Sequence, residues 1–349
     1  MAVTDRSLVA RPARETLRRV VFVPSWVATL LLSALFLAGA SLSPALQYVP
    51  LVLSVVVFGL PHGAVDHLAV ARTRGARPDV RAVVRVVGLY VVLGGAYAGL
   101  WFLAPATAFV LFIALTWFHW GQGDLFSLVA LVDADHVRST GQRVATVVVR
   151  GGLPMLVPLL AFPAWYRRVA TDLVDLFAPG ATAALAVVFR PDVRAGLAVA
   201  YATVLVATLA VGYARATDRT PWLVDAGETL GLVVYFALVP PVLAIGVYFC
   251  LWHSLRHVAR LLAVDDRAAT ALRNRHPARA LGRFARDAAP LTVASLALLT
   301  GLAVLVPDPP QTVPEWVALY LVFIAVVTLP HVVVVTLMDL EQDIWSAAA

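Results

Sequence analysis

A chain of 349 residues with 61% hydrophobic residues and a mean hydropathy of +0.84 is far more apolar than a soluble domain, which is about 45–50% apolar. Its net charge of +6 rests on 27 arginines and no lysine. Those arginines fall between hydrophobic runs, so they mark orientation in a membrane and not a nucleic-acid surface.

In chain order, residues 1–20 read as a charged cytoplasmic arm with no cleavable leader behind it, and residues 21–349 as one integral membrane domain. Spanning hydrocarbon takes roughly 20 apolar residues, and ten runs approach that length. They cover 21–41, 46–70, 81–103, 106–132, 144–162, 193–213, 226–239, 241–262, 289–306 and 316–338. The expected fold is therefore all-α, a polytopic bundle of about eight to ten transmembrane helices. Residues 176–190 are apolar but short, and fit a re-entrant or interfacial segment.

With the N-terminus cytoplasmic, 22 of the 27 arginines fall inside, whereas the outer loop "PDPPQTVPE" has acids and no arginine. Joining the seventh and eighth runs across "PP" at 240–241 would place an eight-arginine loop outside, so they are kept as two spans. The single cysteine, Cys250, excludes an internal disulfide and reads as a small apolar filler.

Eight histidines punctuate this layout. His136 in "VDADHVR" and His276 in "RNRHPAR" lie in polar loops and read as solvated surface residues. The others sit in apolar surroundings: His62 and His67 in "GLPHGAVDHL", His119 in "TWFHWGQGD", His253 and His257 in "LWHSLRH", and His331 in "TLPHVVVV". Counted from the outer ends of their spans, His62, His119, His253, His257 and His331 all lie about 18–24 Å deep at 1.5 Å of rise per residue. Inward side chains meeting at one level are how helical bundles build metal sites. Separate polar contacts between helices are the competing reading. Imidazoles without thiolates suit Fe, Cu or Zn.

Asp66, four residues after His62, is placed to accept a ligand's second ring N–H, or else to pair with an arginine near the surface. His67 points away from His62 and reads as interfacial or as support behind the ligands. Gln122 and Asp124 follow His119 in outer positions. Aromatic residues crowd the same layer: Trp117, Phe118 and Trp120 around His119, and Tyr248, Phe249 and Trp252 before His253. They serve as packing and anchors, or line a slot for a flat conjugated hydrocarbon.

Other classes fit less well. A di-iron desaturase needs about eight histidines in several clustered boxes, and this chain has one HxxxH. A bis-histidine haem protein, or a transporter passing protons or metal ions along the intramembrane histidines, remains an alternative. Without lysine there is no Schiff-base rhodopsin.

Taken in order, "GLPHGAVDH", "TWFHWGQGD", "WHSLRH" and "TLPHVVVV" resemble the Brp/Blh family of β-carotene 15,15'-dioxygenases from about residue 50 to 340. The resemblance implies a membrane-embedded, iron-dependent enzyme that splits β-carotene with O₂ into two retinals. It implies Fe(II) held by His62, His119, His253 and His257, β-carotene arriving from the lipid, and a functional link to a microbial rhodopsin. His67 departs from the pattern, since some members lack it, and His331 matches a recurrent "PH" whose role the resemblance leaves open.

Overall fold

The computed structural model describes residues 8–346, and no β-strand occurs among them. The long helices are α1 (Arg11–Leu37), α4 (Val80–Leu103), α5 (Pro105–Phe126), α6 (Thr140–Ala161), α8 (Pro191–Arg215), α9 (Arg219–Leu238), α10 (Pro241–Val264), α12 (Pro277–Leu305) and α13 (Val313–Glu341). Shorter ones are α2 (Pro44–Ser54), α3 (Asp66–Thr73), α7 (Pro163–Asp175) and α11 (Asp266–Arg273). Eight of the long helices are long and apolar enough to cross a membrane. The protein is thus a multi-pass helical membrane protein. The ninth, α5, has 22 residues, and its polar His119, Gln122 and Asp124 dilute its apolar character.

Several helices begin where the sequence supplies a start signal. Proline occupies the first turn of seven of the long ones, where its missing N–H costs nothing. Asp79 caps α4 through the Ala82 N–H, Ser139 caps α6 through the Gln142 N–H, and Thr312 with Glu315 forms a capping box on α13. Seven and eight are separate helices, as the arginine count required, and α9 gains a full span by starting at Arg219.

Differences from the sequence reading have local causes. The run 46–70 is not one helix: α2 ends at Ser54 and α3 starts at Asp66, with Phe58 in the left-handed region (φ 58°) and Pro61 between them. Helix α1 begins at Arg11, so half of the expected arm is helical, while residues 1–7 lie outside the described part. Residues 163–175, outside the expected spans, form the helix α7, and within the short apolar stretch 176–190 Ala181–Phe189 forms a 3-10 segment.

The layering is concentric. Within its apolar stretch α10 is 89% buried and α6 72%, against 11% for α12, 17% for α4 and α8, and 22% for α1. Helix α10 is therefore the central post, and the others present leucine and valine outward, Leu30, Val199 and Leu298 among them. Such an apolar surface would aggregate in water and is satisfied by lipid. Close crossings depend on glycine: a methyl on Gly121 would collide with the Val147 carbonyl, and one on Gly151 with the Trp117 carbonyl, so α5 and α6 pack backbone to backbone.

Candidate metal centre

Four segments bring five imidazoles together. His62 leaves the irregular turn between α2 and α3, His119 comes from α5, His253 and His257 from α10, and His331 from α13. All five are buried. His62 lies against three of the others, with ring centroids 5.4 Å from His253, 5.5 Å from His257 and 5.0 Å from His331. His119 approaches from the other side, at 4.7 Å from both His253 and His331 and 6.5 Å from His257. His257 and His331 are 5.1 Å apart.

Local sequence explains these positions. The turn carrying His62 needs Gly59, because a methyl there would meet the Ser54 carbonyl and the Phe249 ring. Proline at 61 cannot continue α2. His253 falls within a π-turn, Tyr248–Ser254, that widens α10 where it faces the cluster. Pro330 lies just before His331 inside α13.

Three of the Nδ1 atoms are spoken for. His62 Nδ1 donates to the Gly59 carbonyl, with Ser254 Oγ at 3.2 Å. His331 Nδ1 donates to Asp66 Oδ2 at 2.7 Å, and the same oxygen accepts the Tyr90 hydroxyl at 2.6 Å. His119 Nδ1 faces Gln122 Oε1 at 3.4 Å; Gln122 in turn donates to Asp339, which takes Arg260 at 2.7 Å. That leaves Nε2 of His119, His253, His257 and His331 buried and without a partner. A buried nitrogen lone pair left unpaired is costly, and four in one place describe a metal cradle. Two sets of ligand atoms lie within 4.8 Å of one another: His62 with His119 and His331, and Asp66 with His257 and His331. His253 belongs to neither set, although its ring touches both His62 and His119.

The cradle forms part of the wall of an apolar cavity of about 600 Å³ between α4, α12 and α13. Its rim residues Val87, Val91, Leu298 and Leu305 are exposed on the lipid-facing surface.

Residues 53–339 match the family model described as beta-carotene 15,15'-dioxygenase. The chain belongs to the β-carotene 15,15'-dioxygenase family. It is 51% identical over 339 residues to the probable beta-carotene 15,15'-dioxygenase Blh of Halobacterium salinarum, covering 97% of each chain. The probable dioxygenase Brp of the same species is 35% identical over 93% of this chain and 98% of its own length. A beta-carotene 15,15'-dioxygenase of an uncultured marine bacterium is 23% identical over 59% of this chain and 66% of its own. No solved structure matches the fold.

In this dioxygenase-family chain the other singled-out residues divide. Trp120 and Phe249 line the cavity, stacked on each other at 6.0 Å. Trp117 does not: it donates to the Val148 carbonyl and packs between α5 and α6. Phe118 is partly exposed and stacks near Trp345, while Tyr248 is sealed between Trp120 and Trp252. His67 stands at the cavity edge, its Nδ1 donating to the Ala64 carbonyl.

Asp124 and Trp252 turn away from the imidazoles into a buried ionic cluster. Trp252 Nε1 donates to Asp124 at 3.1 Å, and Arg150 and Arg256 flank that carboxylate at 3.5 Å. Glu228 joins both arginines, at 2.6 Å for Arg256, and accepts from Trp26. His136, expected in solvent, is buried against Asp225 at 3.0 Å. Its loop position signalled exposure, but its partner lies 89 residues away and left no local trace. Tyr90, Asp339 and Arg260 were also missed. Their signal was an ionisable or phenolic group at membrane depth.

Proposed function

We propose that the protein cleaves β-carotene at its central 15,15' double bond with O₂, giving two all-trans-retinal molecules, at one Fe(II) ion. We assign His62, His119, His253 and His257 as ligands, and add His331. The observation that carries this reading is the set of partnerless Nε2 atoms on imidazoles packed against one another beside a lipid-facing apolar cavity. Family membership supports the substrate and the reaction. We also place residues 21–349 in one catalytic domain of the cell membrane with the N-terminus cytoplasmic, on the arginine asymmetry.

Iron bound in this cradle supplies the redox chemistry that activates O₂. The chain's own residues do the rest. The Gly59 carbonyl, Gln122 and Asp66 orient the His62, His119 and His331 rings and fix which nitrogen is free. Trp120 and Phe249 offer flat faces beside His253 and His62, at 5.5 and 5.7 Å, where a polyene can lie. Apolar walls keep water from the reacting carbons. Both atoms of O₂ end in the two product carbonyls, so no side chain has to supply a proton. Substrate comes sideways from lipid, and the retinal released would serve a microbial rhodopsin.

A haem reading is not favoured, since five imidazoles whose ring centroids lie 4.7–6.5 Å apart leave no slab for a porphyrin between them. Expression in a cell that makes β-carotene tests the function: the expected result is loss of orange colour and accumulation of retinal. Persistent colour with the protein membrane-inserted and iron-loaded would overturn it.

A further inference from the structure

Two glycines in the wall of the apolar cavity have no packing reason. Helices α4 and α12 each lie against α13 with no continuous packing between them, and the cavity is the gap they leave. Gly94 and Gly95 of α4 and Gly301 of α12 line it. A methyl on Gly94 would reach Val326 of α13 at 3.7 Å, an ordinary contact. A methyl on Gly95 or Gly301 would meet nothing within 4 Å. Neither glycine therefore serves a close helix crossing, as Gly121 and Gly151 do. Glycine inside a helix is unfavourable relative to alanine, because it has more backbone freedom to lose on folding. What these two positions provide is width inside the cavity.

The cradle fixes where along the cavity that width lies. Tyr90 donates to Asp66, which holds His331, so Tyr90 marks the level of the cradle on α4. Toward the C-terminal end of α4, Gly95 stands about 8 Å beyond Tyr90 and Ala98 about 12 Å beyond it. On α12 the wall runs from Leu291 to Leu305, about 21 Å, and Gly301 lies one turn short of Leu305. This far part carries no free polar side chain. Leu302, Leu305, Phe323 and Val327 line it, and Thr328 spends its hydroxyl on the Ile324 carbonyl. The same cavity is lined by His119, His253 and His331, each buried with an Nε2 that lacks a partner. The widened apolar part is thus continuous with the metal cradle.

We infer that the far part of this cavity, widened by Gly95 and Gly301, receives one ring of the carotenoid. The inference rests on the dioxygenase reading given above and deepens it. A ring with its geminal methyl groups is the widest part of β-carotene, whereas the polyene arm is flat and narrow. With the ring seated between Gly95 and Gly301, the arm runs along α13 toward the imidazoles. Val91 and Leu298 are exposed at the mouth, so the other half of the molecule keeps its contact with lipid. These two glycines make a ringed end admissible; an open-chain end does not need them.

The test narrows the cavity without disturbing a helix crossing. Gly95→Leu, Gly301→Leu and the double variant add bulk where a Cβ is unobstructed. Gly99→Leu is the control: its Cβ is equally unobstructed, and it does not line the cavity. Full-length, iron-loaded proteins are assayed with β-carotene and with a C40 carotene that has one ringed and one open-chain end, which can lay its open end in the narrowed part. For the double variant the expected fall in kcat/KM is about tenfold or more with β-carotene and about twofold with the one-ringed carotene, with Gly99→Leu unchanged. Retention of each carotene by the metal-free proteins, read from its absorbance after purification, should show the same split. No split in retention, as a groove filled only by lipid chains would give, would overturn the inference whatever the turnover, and would leave the dioxygenase reading intact. A split in retention with neither carotene cleaved by the unaltered protein would remove the dioxygenase reading and uphold the ring site.

Discussion

At the scale of single residues, the site is a problem of unpaired nitrogens. Asp66 holds His331 and is itself held by Tyr90, so its carboxylate fixes one ring directly. Replacing Asp66 by Ala should weaken iron binding about 10–100-fold, the usual cost of losing such a support, with Tyr90→Phe milder. Iron retained per protein during chelator titration measures this, and an unchanged Asp66→Ala would contradict the assignment. That five histidines lie together was legible from spacing alone. The partner of Asp66 was not. Sequence proximity suggested His62, four residues back, but the broken helix turns that pair apart and offers His331, 265 residues on. Asp124 misled for a related reason, since its partners Arg150, Trp252 and Arg256 come from two other helices, α6 and α10. Breaking one member of such a buried ionic set typically costs about 3–5 kcal/mol, which makes this cluster a structural brace behind α10.

At the scale of elements, hydropathy located the helices but not their interruptions. Nothing in "VVVFGLPHG" announces a left-handed Phe58, nor the close fit of the next residue, Gly59, against Ser54 and Phe249, which lies 190 residues on. The short α11 was likewise hidden among polar residues. Its cap, Asp265, ties three elements: it accepts from the Ala268 N–H, from Arg283 at 2.6 and 2.8 Å, and pairs with Arg72 of α3 at 3.2 Å. Burial alone would raise its pKa; the hydrogen bonds from Arg283 and Ala268, with the Arg72 charge, reverse this and hold it below the ordinary carboxylate value. A depressed carboxylate stabilises the fold above its unfolded pKa and loses that contribution as pH falls through its folded value. Thermal unfolding in detergent should therefore show a Tm that drops toward acid, and Asp265→Asn should lower Tm at neutral pH while flattening the acid limb. An Asp265→Asn profile that runs parallel to the unaltered protein would contradict this linkage.

At the scale of the whole molecule, the arrangement is a buried post, α10, carrying two imidazoles to a layer where three other segments deliver one each. Outer helices such as α12 and α4 leave most of their apolar surface outside the protein interior and frame the cavity rim. The general plan was readable because membrane helices must satisfy their backbones internally, so long apolar runs become helices. Which faces meet was not, since lipid and protein interior are equally apolar. The central claim is that imidazoles from these separate segments converge on one iron atom. X-ray absorption at the iron edge of the purified, active protein tests it most directly. A nitrogen shell with the multiple-scattering pattern of several imidazoles, lost in part in His331→Ala, is the predicted result; an active protein whose iron shows no imidazole scattering would contradict it.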